Sequence, residues 1–298
     1  MSALQQLKGQ GKDLGGGFVV RRLLPAAQRQ SVGPFLFFDH FGPVTVEPGA
    51  GHDVRPHPHI GLATVTYMFE GAIAHRDSLG YVQNIEAGAI NWMTSGRGIV
   101  HSERKPLELA DEAYVNHGIQ LWAALPVAHE EVEPSFVHTP SSAIPEVSVD
   151  DAQVRVLVGS AFGKTSPVAA YSKTLYLDVQ LPAGGALNLP PLAQELAVYA
   201  VSGDAALDGE ALAVHTLAVL ASGEVTRIEA LSPVRLMVIG GDALDGHRFM
   251  WWNFVSSRKE RIHQAAADWQ AQRMGQIQGE TEFIPLPETP LPALPPSL

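Results

Sequence analysis

Apolar positions along the chain fall in short runs that alternate with a period of two and stop at glycine turns. Residues 60–69, 72–76, 81–85, 89–93 and 99–103 form one such series, separated by Glu70-Gly71, Leu79-Gly80, Ala87-Gly88 and the segment 95–98. Strands this short, spaced by glycine, predict an antiparallel barrel or sandwich. Upstream, residues 18–24 and 35–38 read as strands broken at Gly33-Pro34. A second series with the same rhythm covers 175–179, 196–201, 211–221 and 234–239, with turns at Gly184-Gly185, Ser202-Gly203 and Ser222-Gly223. The pattern predicts an all-β chain of two related barrels. Residues 1–130 form the first and 150–245 the second, and the Pro- and Ser-containing stretch 131–149 links them.

One segment departs from this rhythm. Ile262, Ala265, Ala266 and Trp269 recur on one helical face, with Ser257 and Glu260 placed as a capping box and Gly275 as the stop. Beyond it, Ile284-Pro285-Leu286-Pro287 predicts an extended tail, either strapped on a groove, which would use its Leu side chains, or disordered. Helix and tail make up 246–298.

Composition narrows the chemistry. The 298 residues include 28 Gly and 22 Pro, which suits many turns, and 31 acidic against 20 basic side chains, giving a net charge of -11. With no basic cluster to meet phosphates, direct nucleic-acid binding is not expected. No apolar stretch reaches the ~18 residues of a membrane helix, and no signal-peptide core is visible, so a cytoplasmic protein is expected. The chain has no Cys. Any transition metal must therefore be held by His and carboxylates.

Two motifs offer those ligands. In His57-Pro58-His59 both imidazoles lie on one side of an extended segment, and His101-Ser102-Glu103 repeats the spacing after a Gly96-Arg97-Gly98 turn. One pair with that spacing is weak evidence, and two matched pairs are much stronger. On neighbouring strands the four side chains present three nitrogens and one oxygen to one divalent ion, with room left for substrate. His215, between Val214 and Thr216, has no companion at that spacing and is read as structural.

Together with Phe35 to Asp39, His57 to Tyr67, His75 to Gly80, Asn91 to Glu103 and Gly118 to Trp122, these motifs resemble the pirin family, and the likeness extends over most of residues 15–275. The resemblance implies two cupin-type barrels, the first alone metallated through His57, His59, His101 and Glu103. Where many pirins read His-Pro-His-Arg-Gly-Phe-Glu-Thr, this chain has Ile60, Leu62 and Ala63, so a more apolar entrance with one fewer carboxylate is expected.

Other residues have simpler readings. Asp39 either orients a ligand imidazole or is an ordinary turn residue, and His75 with Arg76 and Asp77 is read as a surface charge cluster. Trp92 and Met93 are read as core. Arg97 either meets an anionic substrate or ties its loop to a carboxylate, and residues 251–254 dock the helix.

The resemblance implies a dioxygenase of the quercetin 2,3-dioxygenase type. It would act on a small aromatic, flavonol-like substrate with O2, with Fe(II) the favoured ion and Glu103 as base. A different reading is a non-catalytic regulator whose metal tunes a surface for a protein partner. A cupin isomerase acting without O2 is a third.

Overall fold

The computed structural model describes residues 4–14 and 18–294. Its strands build two large antiparallel sheets, each accompanied by a smaller one. One seven-stranded sheet has the order Ser135–Thr139, Ile90–Thr94, Leu62–Glu70, Tyr114–Ala124, Phe35–Val46, Val19–Leu24 and Gln10–Asp13. Its four-stranded companion runs Val54–His59, Ile99–Arg104, Ala72–Asp77 and Val82–Glu86. The second seven-stranded sheet joins Gln5–Lys8 to Thr216–Val219 at one edge and ends on Glu146–Val149 at the other. Its companion contains Ala186–Leu189, Thr226–Ala230, Ala205–Leu207 and Glu210–Leu212.

The chain divides into two compact units, and each takes segments from distant parts of the sequence. One comprises Met1–Gly11, Arg21–Asp39 and Thr139–Ala243; the other comprises Lys12–Val20, His40–His138 and Leu244–Leu298. Residues 131–149, expected as a linker, carry strands Ser135–Thr139 and Glu146–Val149, one in each large sheet. In the unit built mainly from 139–243, alternate residues such as Val154, Leu177, Val198, Leu236 and Val238 point into one fully buried core. Each buried aliphatic side chain there contributes roughly 1.5–3 kcal/mol relative to exposure.

The helix spans Lys259–Gln270 and buries Ile262, Ala265, Ala266 and Trp269, the face expected from the sequence. Its start differs. Arg258 stands at the cap position without a side-chain cap bond, because the Ser257 hydroxyl donates instead to Glu130 Oε2 at 2.8 Å. The chain leaves the helix at Ala271, with Gln272 at φ +55°, before Gly275 is reached. The tail is a strap. Ile284 N–H donates to the Pro56 carbonyl at 2.8 Å, and Trp269 Nε1 donates to the Ile284 carbonyl at 2.9 Å. Among the described residues no helix is long and apolar enough to cross a membrane.

Candidate metal centre

The strand Val54–His59 pairs antiparallel with Ile99–Arg104, placing His101 opposite His57 and Ile99 opposite His59. Period-two alternation then turns the three imidazoles to one side. Their ring centroids are 4.3 Å apart for His57 and His101, and 5.0 Å for His57 and His59 and for His59 and His101. One ligand atom from each lies within 4.8 Å of the others, and all three residues are buried.

Tautomers are set from behind. His57 Nδ1–H donates to the Arg55 carbonyl at 2.8 Å and His59 Nδ1–H to the Asn253 carbonyl at 3.2 Å, which leaves each Nε2 lone pair free to bind an ion. Both ring nitrogens of His101 are buried without a hydrogen-bond partner among the described residues. A buried polar group left unpaired is costly, and an ion at the centre of the triad would satisfy it. Burial lowers the His57 pKa to about 4 despite the Arg55 carbonyl; burial and the neighbouring imidazoles hold His59 and His101 well below the usual value. Three neutral imidazoles that do not compete for protons near neutrality suit a divalent transition metal.

Glu103 stands apart from this triad. The register shifts between His101 and Glu103, which pairs with Val54 on one side and with His75 on the other. The group of ligand atoms within 4.8 Å does not include it. The residue is half-buried, and burial of its carboxyl pushes its pKa up to about 7, with no hydrogen bond or neighbouring charge among the described residues set against the shift.

His59 owes its carbonyl partner to a close backbone approach. Gly61 has φ +71°, and a Cβ there would meet the Val255 carbonyl oxygen at 2.0 Å. Glycine therefore lets the strand Phe254–Ser256 bridge to Ile60 and brings Asn253 behind His59. The aromatics at 251–254 dock the helix as expected: Trp251 and Phe254 share a cluster with Ile60, Val100, Ile262 and Trp269. Ile60 thus packs among these core residues, and Leu62 and Ala63 are fully buried in their strand, so the apolar entrance expected of these positions is not found.

His75 is a correction. It is buried, not superficial: Nε2 lies 2.9 Å from Asp77 Oδ2, and the ring stacks on Phe136 at 4.2 Å and lies 5.4 Å from His101. Asp77 also accepts from the N–H groups of Leu79 and Tyr81. Asp39 accepts two hydrogen bonds from Arg22, at 2.8 and 2.7 Å. Arg97 ties its loop to Glu133 at 2.8 Å. Trp92 and Met93 are buried. His215 sits at φ +63° in the turn before Thr216–Val219, outside any ligand cluster among the described residues.

Two β-units in one chain, each a large antiparallel sheet with a smaller companion, and in one of them a histidine triad able to hold a divalent metal, are the arrangement of a bicupin. The pirin family model matches residues 17–123 and the pirin C-terminal cupin domain matches 176–275. The chain belongs to the pirin family. It is 45% identical to a pirin-like protein of Caulobacter vibrioides over 93% of this chain and 96% of that one. Human pirin is 34% identical, with 88% and 89% of the two chains covered. The crystal structure of quercetin 2,3-dioxygenase from Acinetobacter baumannii superposes with TM-score 0.89 at 34% identity, covering 99% of this chain and 97% of that one.

Proposed function

We propose that the protein is a metal-dependent dioxygenase opening flavonol-like substrates, with Fe(II) as its ion and Glu103 joining the three histidines. The observation that carries this reading is the convergence of three buried, uncharged imidazoles, two of them oriented by backbone carbonyls. The quercetin 2,3-dioxygenase likeness supports the substrate class. Bound iron would supply Lewis acidity and one-electron chemistry toward O2.

The protein's own groups have separate tasks. His57 and His59 present Nε2 because their Nδ1–H bonds are committed to carbonyls. Trp122, whose ring lies 5.0 Å from that of His59, supplies an apolar wall. Glu103 receives the proton of the substrate hydroxyl at its carboxylate, so that the substrate oxygen reaches the centre as an anion.

Oxygen uptake on adding a flavonol to protein loaded anaerobically with Fe(II) tests the reading. Uptake matched to flavonol loss is expected. Glu103→Gln at equal iron occupancy should lose on the order of 10² to 10⁴ in rate. Stoichiometric iron without any uptake would sink the dioxygenase and leave the non-catalytic regulator.

A further inference from the structure

The inward face of the large sheet carries polar chemistry that the metal triad does not use. Trp122, beside His59, identifies that face. In register, Trp122 pairs with Thr64 and Thr64 with Met93; two residues along, Gln120 pairs with Thr66 and Thr66 with Asn91. Since side chains alternate along a strand, Thr66, Gln120 and Asn91 point to the same side as Trp122. His138 joins this row, its Nδ1 lying 2.6 Å from Asn91 Oδ1. Two residues before it, Phe136 stacks on His75, which neighbours His101.

Two amide groups in this row are set as donors. The Thr66 hydroxyl donates to Gln120 Oε1 at 2.5 Å, which leaves the Gln120 NH2 available, and Gln120 keeps part of its surface accessible. Asn91 is 3% exposed, and its Nδ2 is buried without a hydrogen-bond partner among the described residues. A buried NH2 with nothing to bond is costly unless a ligand supplies the acceptor. Apolar side chains adjoin the row: Trp122 and Met93 lie in the neighbouring row, both paired with Thr64, and Met93 shares a buried cluster with Phe136.

We propose that Asn91 and Gln120 form a second anchor for the organic ligand. They donate to acceptor oxygens of a conjugated ring compound held between Trp122 and Phe136 while another of its oxygens faces the histidine triad. The anchor rests on the metal-site reading for the position of the first oxygen. A ligand with one oxygen alone would leave the amides unpaired, so the site selects rings carrying two or more separated acceptor oxygens.

The test separates binding from turnover. Zinc-loaded protein, which has no redox chemistry of its own, is titrated with quercetin at pH 8 while tryptophan fluorescence is followed. Gln120→Glu and Asn91→Asp keep side-chain shape but replace donors with acceptors, and each should weaken quercetin binding about tenfold or more at unchanged zinc stoichiometry. Gln120 is partly accessible, so its variant stands if the Asn91 variant fails to fold. Equal affinity in the parent and Gln120→Glu, or no quercetin binding by the parent, overturns the anchor. Donor-dependent binding without oxygen uptake by the iron-loaded parent upholds the anchor and defeats the dioxygenase. Oxygen uptake with variants that bind like the parent does the reverse.

Discussion

His59 Nδ1 lies 3.2 Å from the carbonyl oxygen of Asn253, 194 positions further along the chain. A ligand imidazole is thus oriented by the hairpin that seats the C-terminal helix. That carbonyl is held in place by Phe254, which is fully buried in the helix cluster. Phe254→Ala should cost about 3–5 kcal/mol of stability. It should also weaken zinc binding about 10- to 100-fold by freeing the His59 ring. Thermal unfolding and a competitive zinc titration check the two effects; unchanged zinc affinity in a destabilised variant would mean that the carbonyl does not orient the ligand.

His57→Ala and His101→Ala should each abolish stoichiometric metal binding while leaving the β-fold intact, because both cores are built from other side chains. His215→Asn is the control. Asn tolerates the left-handed turn at that position, and metal content should not change. Elemental analysis beside circular dichroism decides both; a full metal equivalent in the double His57/His101 variant would refute the triad.

Much of this centre was legible in the sequence, for a physical reason. Period-two spacing turns His57 and His59 to one side regardless of the surroundings, and the glycine-punctuated strands fix which pairs can be neighbours. The helix face was legible for the same reason at a different period. What escaped depends on contacts between distant residues. The Asn253 carbonyl is a backbone group with no side-chain signature. Ser257 fits a capping box, yet Glu130 takes its hydroxyl. His75-Arg76-Asp77 looks like an exposed charge cluster, but Asp77 is satisfied by the Leu79 and Tyr81 N–H groups and can be buried with His75. The one signal within reach was the turn: an Asp two residues before Leu79 and near Gly80 commonly bonds its own backbone.

Proton release gives a direct test of Glu103 as the fourth ligand. Before an ion binds, its pKa is about 7, while His57 is neutral down to about 4 and the other two histidines are also depressed. Near pH 6, then, Glu103 carries most of a proton and the histidines carry almost none. Metal binding at pH 6 should release close to one proton per ion, and at pH 8.5 almost none. In Glu103→Gln the release at pH 6 should vanish. The metal-free fold has a related dependence. The raised Glu103 pKa contributes stability fully present below about pH 4.5 and lost as pH rises through 7, whereas the lowered histidine values cost stability as pH falls from 6.5 toward 4. Zinc titration in weak buffer with a pH indicator measures the release, and equal release by the variant would remove Glu103 from the ligand set.

The strand that turns His101 and Glu103 to one side turns Ser102 and Arg104 to the other, and there the tail holds it. Glu280 accepts from Ser102 Oγ at 2.9 Å and from Arg104 Nε at 3.1 Å, and Arg104 also reaches Asp53 at 3.2 Å and Glu282 at 3.1 Å. The hydrogen bond from Arg104 is the main cause holding the Glu280 pKa below its usual value, so its stabilisation is present above about pH 4.5 and is lost as pH falls through the lowered folded value. The Glu280 side chain is largely shielded from solvent, so the pair is screened less than a surface one. Glu280→Ala should cost about 1–3 kcal/mol at neutral pH, and the difference from the parent should shrink in acid. Because Ser102 lies between His101 and Glu103, loosening this grip should also speed metal loss to a chelator. The comparison is zinc release from parent and Glu280→Ala, with Glu282→Ala as the exposed control. A faster rate only in Glu280→Ala is expected. Equal rates in all three proteins would confine the strap to stability and detach it from the metal centre.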